Sequence, residues 1–390
     1  MKNELRSDIS LKHMASIYIH IPFCKQACHY CDFHFSTTMG KKEEMITAII
    51  SELEMRKAEF ENDEVSNLYF GGGTPSVLNT AEIEQIIDAC YAHYKIQEDP
   101  EITLEANPDD LTEQKIRELA ASPINRLSIG VQSFYEEDLK LMNRAHNAQE
   151  AIDCLRLTRA SFPNSSLDLI YGIPGMSNER WEENIDKALA LDLPHISAYA
   201  LTVEPKTALE NFIKKGIVPP VEDEVAQEHH ELLIRKMEAA GYENYEFSNF
   251  AKPGCHSRNN TAYWQGKKYI GIGPSAHSYD GKRRAWNINN NPKYIKAITA
   301  GELPQEVEEL SLTDQYNEYV MTRLRTQYGV SLLEIKTQYG ERFYNYFLEH
   351  AQKHIEQHLL FIEEDRVYVS KKGKFLSDGI ASDLFILNLK

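Results

Sequence analysis

The chain has 390 residues, of which 42% are hydrophobic and 26% charged, a composition typical of a globular protein. Its formal net charge of −17 argues against nucleic acid as a partner, because such a surface repels a phosphate backbone. No apolar run approaches the roughly 18 residues that span a bilayer, and the charged N-terminus does not resemble an export signal. With six cysteines, these features predict a reducing, cytoplasmic location and leave peripheral contact with a membrane open.

Three cysteines, Cys24, Cys28 and Cys31, follow a short apolar run with the spacing C-x3-C-x2-C. Three thiolates on one loop can hold three irons of a [4Fe–4S] cluster and leave the fourth iron open to a small molecule. Cys28 and Cys31 alone would fit a redox pair, but that interpretation gives Cys24 no role. A zinc site completed by His34 would crowd all its ligands into one short loop, with no distant second pair. A cluster with an open iron is therefore favoured.

Apolar runs alternate with segments of helical periodicity through the first half of the chain. This alternation predicts an α/β protein with a parallel sheet, and six units are too few for a closed eight-unit barrel, so we expect an open, partial (β/α)6 barrel. Cys90 and Cys154 lie at helical spacing among apolar residues and are expected to be core thiols. The predicted strands are 16–21, 67–70, 101–105, 126–129, 166–170 and 195–200. The predicted helices are about 41–61, 80–94, 112–121, 136–160 and 178–191, with Thr80 capping the second.

The composition changes after the sixth unit. A region rich in glycine, asparagine and aromatic residues follows, in which we expect strands and loops attached to the barrel. Helical patterns then precede two apolar runs that Glu363 to Arg366 divide like a hairpin turn, and a last helix is expected from Gly373. This predicts a small α+β, winged-helix-like domain. The predicted division is an N-terminal extension over 1–15, the barrel over 16–240, the attached region over 241–300 and the C-terminal domain over 301–390.

Unusual polar or glycine-rich motifs follow the predicted strands. In parallel α/β barrels the chemistry lies at the C-terminal strand ends, and these motifs would all gather there with the cysteine loop. Three consecutive glycines, Gly71 to Gly73, bring bare backbone close to a ligand and leave unpaired N–H groups facing it, or else form a tight turn. Glu105 suits a ribose or a cationic group, or else caps the next helix. The other motifs start at Gly130, Tyr171 and Tyr199.

Together these residues are recognisable. Four segments resemble motifs of the radical S-adenosylmethionine enzymes. They are Tyr18 to Cys31, Gly71-Gly-Gly-Thr-Pro, Gly130-Val-Gln-Ser-Phe and Asp168-Leu-Ile-Tyr-Gly-Ile-Pro-Gly. More narrowly, they resemble the oxygen-independent coproporphyrinogen III oxidase group. The resemblance covers about residues 16–290 with specific motifs and the C-terminal domain more loosely. It implies a [4Fe–4S] cluster and S-adenosylmethionine as cofactors.

The resemblance also implies roles at the matching positions. Cys24, Cys28 and Cys31 would ligate the cluster, and no residue is assigned a catalytic role. The residues that would line the cluster-bound S-adenosylmethionine are Tyr18, Tyr30, Gly72 and Glu105. Positions that hold a second S-adenosylmethionine in the oxidase correspond to Gly73, Thr74, Gln132, Arg144, Asp168 and Ala200.

Two branches of the group differ around the third cysteine. The oxidase branch carries a further cysteine two places later and a longer N-terminal extension. Here that position is Phe33, and 17 residues precede Tyr18. Both features resemble the heme-chaperone branch, so we expect a protein that binds heme and delivers it to an acceptor protein. The alternative is oxidative decarboxylation of coproporphyrinogen III, an activity that we do not expect.

The residues that would hold heme depart from the pattern of that branch. Its H-N-x-x-Y-W signature is matched here from Asn259 to Trp264, with asparagine in place of the histidine. Heme iron takes imidazole, thiolate, thioether or phenolate ligands, so a neighbour must supply one. Tyr263 and Trp264 are expected to pack on the macrocycle. The candidate ligands are His256, His277 and Cys255.

Overall fold

The computed structural model describes residues 14–387, so the extension predicted over 1–15 lies almost wholly outside it. Six strands follow one another in parallel, each hydrogen-bonded to the next along the chain. They confirm the six predicted strands and the α/β class, with a parallel core. They are Met14–Ile21 (β1), Glu64–Gly72 (β2), Ile96–Ala106 (β3), Arg126–Gln132 (β4), Ser166–Tyr171 (β5) and His195–Ala200 (β6).

Further strands extend this sheet on both sides. Among the described residues the sheet has twelve strands, in the order β12-β11-β10-β9-β1-β2-β3-β4-β5-β6-β8-β7. β9 pairs in parallel with β1, whereas β8 runs antiparallel to β6. The six-strand barrel is therefore open, and added strands flank the opening. They are Glu243–Glu246 (β7), Asn249–Ala251 (β8), Lys268–Ile272 (β9), His277–Tyr279 (β10), Arg283–Asn287 (β11) and Gln305–Glu309 (β12).

Helices connect the strands and cover the sheet. Those of the barrel are Lys42–Met55 (α1), Thr80–His93 (α2), Glu113–Ala120 (α3), Glu136–Leu141 (α4), Ala148–Ser161 (α5) and Asn178–Ala190 (α6). The next four are Ala208–Lys214 (α7), Asp223–Ala239 (α8), Arg258–Trp264 (α9) and Asn291–Thr299 (α10). Cys90 and Cys154 are 0% and 4% exposed, as expected of core thiols. Across residues 14–387 no helix has both the length and the apolar character needed to cross a membrane.

The prediction of one helix over 136–160 is wrong, because the chain breaks between α4 and α5. Asn143 adopts a φ of 57°, in the left-handed region that a continuous right-handed helix excludes. The break allows Arg144 to reach the strand ends, where its guanidinium donates to the backbone oxygen of Gly130 at 2.5 Å. The interruption therefore places a cation at the rim of the barrel.

The predicted N-cap of α2 is also wrong, because Asn79 and not Thr80 occupies that position. The Asn79 side chain accepts from the backbone N–H of Glu82 at 2.8 Å, and the Glu82 carboxylate accepts from that of Asn79 at 2.8 Å. This reciprocal pair satisfies two N–H groups that the helix start would otherwise leave free. The Thr80 hydroxyl, one residue inside the helix, instead donates to Glu118 at 3.4 Å.

The capping box gives a stability prediction with a matched control. Replacing Asn79 by alanine is expected to lower the free energy of unfolding by about 1 kcal/mol, because a helix-end N–H loses its acceptor. Replacing Thr80 by alanine is expected to change it by less than about 0.5 kcal/mol. Urea unfolding of the two variants and the natural chain measures both values. Equal losses in the two variants would contradict this assignment of the cap.

The C-terminal part has a hydrophobic core of its own, built around Tyr316, Phe347 and Val367. The predicted hairpin is confirmed, but the last helix starts at Ser377 rather than Gly373, because residues 371–376 form a 3-10 turn. β12, at the start of the predicted C-terminal domain, pairs with β11 and so belongs to the large sheet. The division into domains stays a prediction. Its elements are Leu312–Leu324 (α11), Val330–Ser331 (β13), Leu332–Glu334 (α12), Glu341–Glu356 (α13), Leu360–Glu363 (β14), Arg366–Val369 (β15) and Ser377–Asp383 (α14).

Successive side chains along a strand point to opposite faces of the sheet, one toward the core and the other toward the candidate site. On β1, Ile17 and Ile19 are buried in the main hydrophobic core, whereas Tyr18 and His20 point to the opposite side and line a cavity. Because the six central strands are parallel, their carboxyl ends meet at one rim. The loop after β1, which carries the three cysteines, lies at that rim with the ends of the other strands.

Candidate functional site

The three cysteines of the loop after β1 are partly exposed free thiols. The Thr74 hydroxyl donates to the Cys24 sulfur at 3.3 Å, and Arg144 donates from Nη1 to the Cys28 sulfur at 3.3 Å. Burial raises the pKa of Cys24 to about 11 and that of Cys31 to about 12. A bound metal would be needed to keep these sulfurs as thiolates at neutral pH. The donor set of soft sulfurs, with two hydrogen-bond donors behind it, fits an iron–sulfur cluster.

Beneath the cysteines lies a cavity of about 450 Å³, here called the cysteine cavity. The carboxyl ends of β2 to β6 form its other walls. The structure therefore brings together the predicted cluster ligands and nearly all of the predicted S-adenosylmethionine residues. Those that line this cavity are Tyr30, Gly72, Gly73, Thr74, Glu105, Gln132, Arg144, Asp168 and Ala200. Tyr18 lies instead on the neighbouring cavity.

The glycines at the end of β2 pack against the start of the cysteine loop. A Cβ on Gly72 would lie 2.5 Å from the His20 ring, and one on Gly73 would lie 2.6 Å from the carbonyl oxygen of Phe23. The N–H of Gly73 donates to the carbonyl oxygen of Ile21 at 2.9 Å. The expectation of unpaired N–H groups is therefore wrong at Gly73. The glycines are needed here for close approach between backbone segments.

Four carboxyl groups line the cysteine cavity, and burial shifts the pKa of two of them, Glu105 and Asp168; the others are Asp32 and Glu204. Burial raises the pKa of Glu105 to about 7, against the lowering effect of the Tyr69 hydroxyl, which donates to it at 2.7 Å. Burial likewise raises the pKa of Asp168 to about 6, opposed by Ser197 and Ser128. Both side chains border the cavity, yet protein groups surround them on most sides. A cation bound between them would favour their ionised forms.

Arg144 connects the cysteine loop to the strand ends. Besides Cys28 and Gly130, its guanidinium donates to the Asn107 side chain at 2.7 Å. Its Nε is buried and has no hydrogen-bond partner among the described residues. A buried unpaired donor is costly, so this atom fits an acceptor group of a bound ligand in the cysteine cavity.

A second cavity of about 670 Å³, here called the histidine cavity, adjoins the first. The two share Asp32, Phe33, Gly72 and Glu105 as walls. The Phe33 side chain, at the position where the oxidase branch has a cysteine, is 69% exposed. The remaining walls come from β1, α9, β9, β10, β11 and adjoining loops, and they carry imidazole, aromatic and cationic groups. They include Tyr18, His20, His34, Asn259, Tyr263, Lys267, Tyr269, His277 and Arg284.

A buried carboxylate holds the start of α9 against the barrel. Glu101, on β3, accepts from the backbone N–H groups of Arg258 and Asn259, each at 3.1 Å, and from the Ser257 hydroxyl at 3.3 Å. This anchoring places Asn259 and Tyr263 on the wall of the histidine cavity. The segment that departs from the family signature therefore lies beside this cavity.

The three heme-ligand candidates separate in the structure. His277, at the start of β10, lines the histidine cavity, and burial together with nearby Arg284 lowers the pKa of its imidazole. His256 instead pairs with the Glu243 carboxylate at 2.8 Å and stacks on Tyr245, with 4.4 Å between ring centroids. Neither His256 nor Cys255 lines either of the two cavities.

Three further side chains differ from the predicted set of site residues. Trp264, expected beside Tyr263, lies under the guanidinium of Arg325 at 5.1 Å and lines neither cavity. His20 faces the histidine cavity, and its alternation with Tyr18 along β1 is the signal in the sequence that indicates a shared face. His34, weighed above as a zinc ligand, also faces this cavity, and nothing in its local sequence indicates that position.

Comparison with known families supports the resemblance to radical S-adenosylmethionine enzymes. The model of the Radical SAM superfamily matches residues 18–188, and that of the HemN C-terminal domain matches residues 310–376. In the solved structures, the coproporphyrinogen III oxidase HemN from Escherichia coli, described as a radical SAM enzyme, has a TM-score of 0.83. That match covers 99% of this chain and 93% of the other at 24% identity, which shows a shared fold.

Relatives of known name match four fifths or more of the chain. The heme chaperone HemW of Bacillus subtilis (strain 168) is 35% identical over 94% of this chain and 98% of its own. HemW of Escherichia coli (strain K12) is 34% identical over 80% and 82%. The mouse mitochondrial radical S-adenosyl methionine domain-containing protein 1 is 34% identical over 81% and 74%. With its cysteine loop and cavities at the barrel rim, this chain belongs to the HemW family of radical S-adenosylmethionine proteins.

Proposed function

We propose that this protein is a heme chaperone of the cytoplasm, which binds heme and passes it to a heme-accepting protein. The observation that carries the proposal is a second cavity, rich in imidazole and aromatic side chains, beside the cysteine cavity in a chain of the HemW family. Its volume lies within the range of about 300–1,000 Å³ common for sites that enclose cofactors. Flat aromatic walls suit a macrocycle, because ring faces and edges gain from offset contacts.

In this proposal the cysteine cavity holds the resident cofactors. Cys24, Cys28 and Cys31 would ligate a [4Fe–4S] cluster, which supplies an electron for reductive chemistry on S-adenosylmethionine when both are bound. The carboxyl groups of Glu105 and Asp168 would balance the positive charge of that ligand. The raised pKa of both carboxyl groups supports this role, because a bound cation would stabilise their ionised forms. Residues expected to border a second S-adenosylmethionine line the same cavity.

Glu105 gives a prediction about pH. Because burial raises its pKa to about 7, a cationic ligand must displace a proton to bind below that pH. The affinity for S-adenosylmethionine is therefore expected to rise with pH below about pH 7, by up to about tenfold per pH unit, and to level off above it. Glu105→Gln should remove most of the rise below pH 7. Equilibrium dialysis on reconstituted protein measures it, and an unchanged profile in that variant would contradict the role.

Parallel assays on one anaerobically reconstituted sample test the function. We expect stoichiometric binding of hemin, seen as a shifted absorption band, and no conversion of coproporphyrinogen III. The position of Phe33 supports the second expectation, because a phenyl ring cannot replace the thiol of the oxidase branch. Cells that lack the oxidase and produce this protein instead should accordingly remain dependent on added porphyrin. Efficient turnover without hemin binding would replace the proposal by the oxidase function.

A further inference from the structure

We propose that the histidine cavity is the heme site and that His277 is the protein ligand of the heme iron; this inference rests on the proposed function. It assigns both the place and the ligand, which the family signature does not give here because Asn259 stands at the position of its histidine.

His277 is the histidine of this cavity that, among the described residues, has no hydrogen bond at either ring nitrogen; its ring contact is with Trp286, at 6.2 Å between centroids. Its ring is exposed to the cavity, and among residues 14–387 no hydrogen bond to the ring is formed. In His20, Nε2 lies 2.9 Å from the carbonyl oxygen of His34, and Nδ1 lies 3.3 Å from the Tyr18 hydroxyl. In His34, Nε2 lies 2.6 Å from the side-chain oxygen of Asn291. Iron binding at His20 would break existing bonds, whereas binding at His277 would break none.

The loop that carries His277 is packed onto β1. A Cβ on Gly271 would lie 2.0 Å from the carbonyl oxygen of His277, and one on Gly273 would lie 2.6 Å from that of His20. Ser275 adopts a φ of 63°, in the left-handed region that favours glycine. Such a conformation persists only where the surrounding structure enforces it. His277 is therefore held at a fixed place on the wall and not on a free loop.

A buried carboxylate on α1 fixes the same loop from behind. Glu52 is fully buried and accepts from the Gly273 N–H at 2.8 Å, from the Tyr294 hydroxyl at 2.6 Å and from the Asn287 side chain at 2.7 Å. Its ion-pair partner Arg56 donates to the carbonyl oxygen of Gly271 at 2.8 Å. Supporting shells of this kind orient a metal ligand before the metal arrives.

The charges of the cavity fit the edge of a heme. Heme carries two propionate carboxylates, and Lys267 and Arg284, the latter already ion-paired with Glu318, place positive charge on the cavity wall. Arginine pairs well with carboxylates because its planar fork matches their geometry. Tyr263 and Tyr269, 5.7 Å apart between ring centroids, offer aromatic surface on the same wall. One cavity thus supplies an iron ligand, a ring contact and partners for the carboxylates.

Hemin titration of the full-length, reconstituted chain tests this assignment. His277→Ala is expected to shift the absorption band and to raise the dissociation constant for hemin by about tenfold or more. Added imidazole should restore the band by entering the vacated position. His277→Cys should give the spectrum of a thiolate-ligated heme, a change that a merely structural role would not produce. His256→Ala, at a histidine already paired with Glu243, is the matched control and should leave the spectrum unchanged.

The outcomes separate this inference from the proposed function. If the natural chain fails to bind hemin, both are wrong. If it binds hemin and His277→Ala and His277→Cys keep its spectrum and affinity, the ligand assignment is wrong while the chaperone function stands. A changed spectrum in His256→Ala, with none in the His277 variants, would move the site to the other loop. Cluster content, measured as iron and sulfide, confirms that each variant is folded.

Discussion

Replacing any one of Cys24, Cys28 and Cys31 by alanine is expected to abolish the [4Fe–4S] cluster. The three thiols lie on one loop at the mouth of the cysteine cavity, and the other cysteines are far from it: Cys90 and Cys154 are buried in the main core. No nearby thiol can therefore take the place of the one removed. Iron and sulfide per chain after anaerobic reconstitution, with Mössbauer spectra, measure the loss.

Cys255→Ala provides the matched control for this experiment. Cys255 is also a partly exposed free thiol, but it does not line the cysteine cavity. This variant should reconstitute as the natural chain does. Full cluster content in any of the three loop variants would contradict the assignment, and uptake of stoichiometric zinc without iron by the natural chain would overturn the cluster itself.

Gly73→Ala is expected to have the second large effect, the loss of S-adenosylmethionine binding at the cluster. A Cβ at this position would lie 2.6 Å and 2.8 Å from the carbonyl oxygens of Phe23 and Ile21, which are backbone atoms that cannot turn aside. The end of β2 and the start of the cysteine loop must therefore move apart. Overpacking of this kind typically costs about 1–3 kcal/mol of stability, and it displaces the cluster relative to Glu105.

Electron paramagnetic resonance of the reduced cluster measures this effect directly. In the natural chain, S-adenosylmethionine should change the signal, because it is expected to bind at the open iron; in Gly73→Ala it should not. Gly40→Ala is the control, since a Cβ there meets no atom within 4 Å. A normal response in Gly73→Ala would show that close packing at this glycine is not needed for the site.

Much of the fold follows from patterns that are local in the sequence. Each central strand is a short apolar run between turn residues, and the polar motifs at their ends predict one shared rim because parallel strands align their carboxyl ends. The strand pattern alone therefore predicts that residues as far apart in the chain as Tyr30 and Ala200 lie at one rim, and they line one cavity. The family resemblance added the cofactor roles of these residues.

Other features depend on contacts that are distant in the sequence. The break before Arg144 is decided by bonds to Gly130 and Cys28 rather than by helix periodicity, so the helical pattern continues through it. Nearness to Asn259 in the sequence favours His256 as the heme ligand, but Glu243 and Tyr245 hold it away from the cavity. His277 reaches the cavity only because β9 pairs with β1, a contact that no local pattern predicts.

We expect one chain to hold an iron–sulfur cluster and heme in adjoining cavities. Anaerobic titration of the fully reconstituted natural chain with hemin, followed by Mössbauer spectroscopy, tests it most directly. We predict that heme iron appears beside intact cluster iron in the same protein, up to one heme per chain, and that neither displaces the other. Loss of the cluster signal in step with heme uptake, or no heme signal at saturation, would contradict the claim.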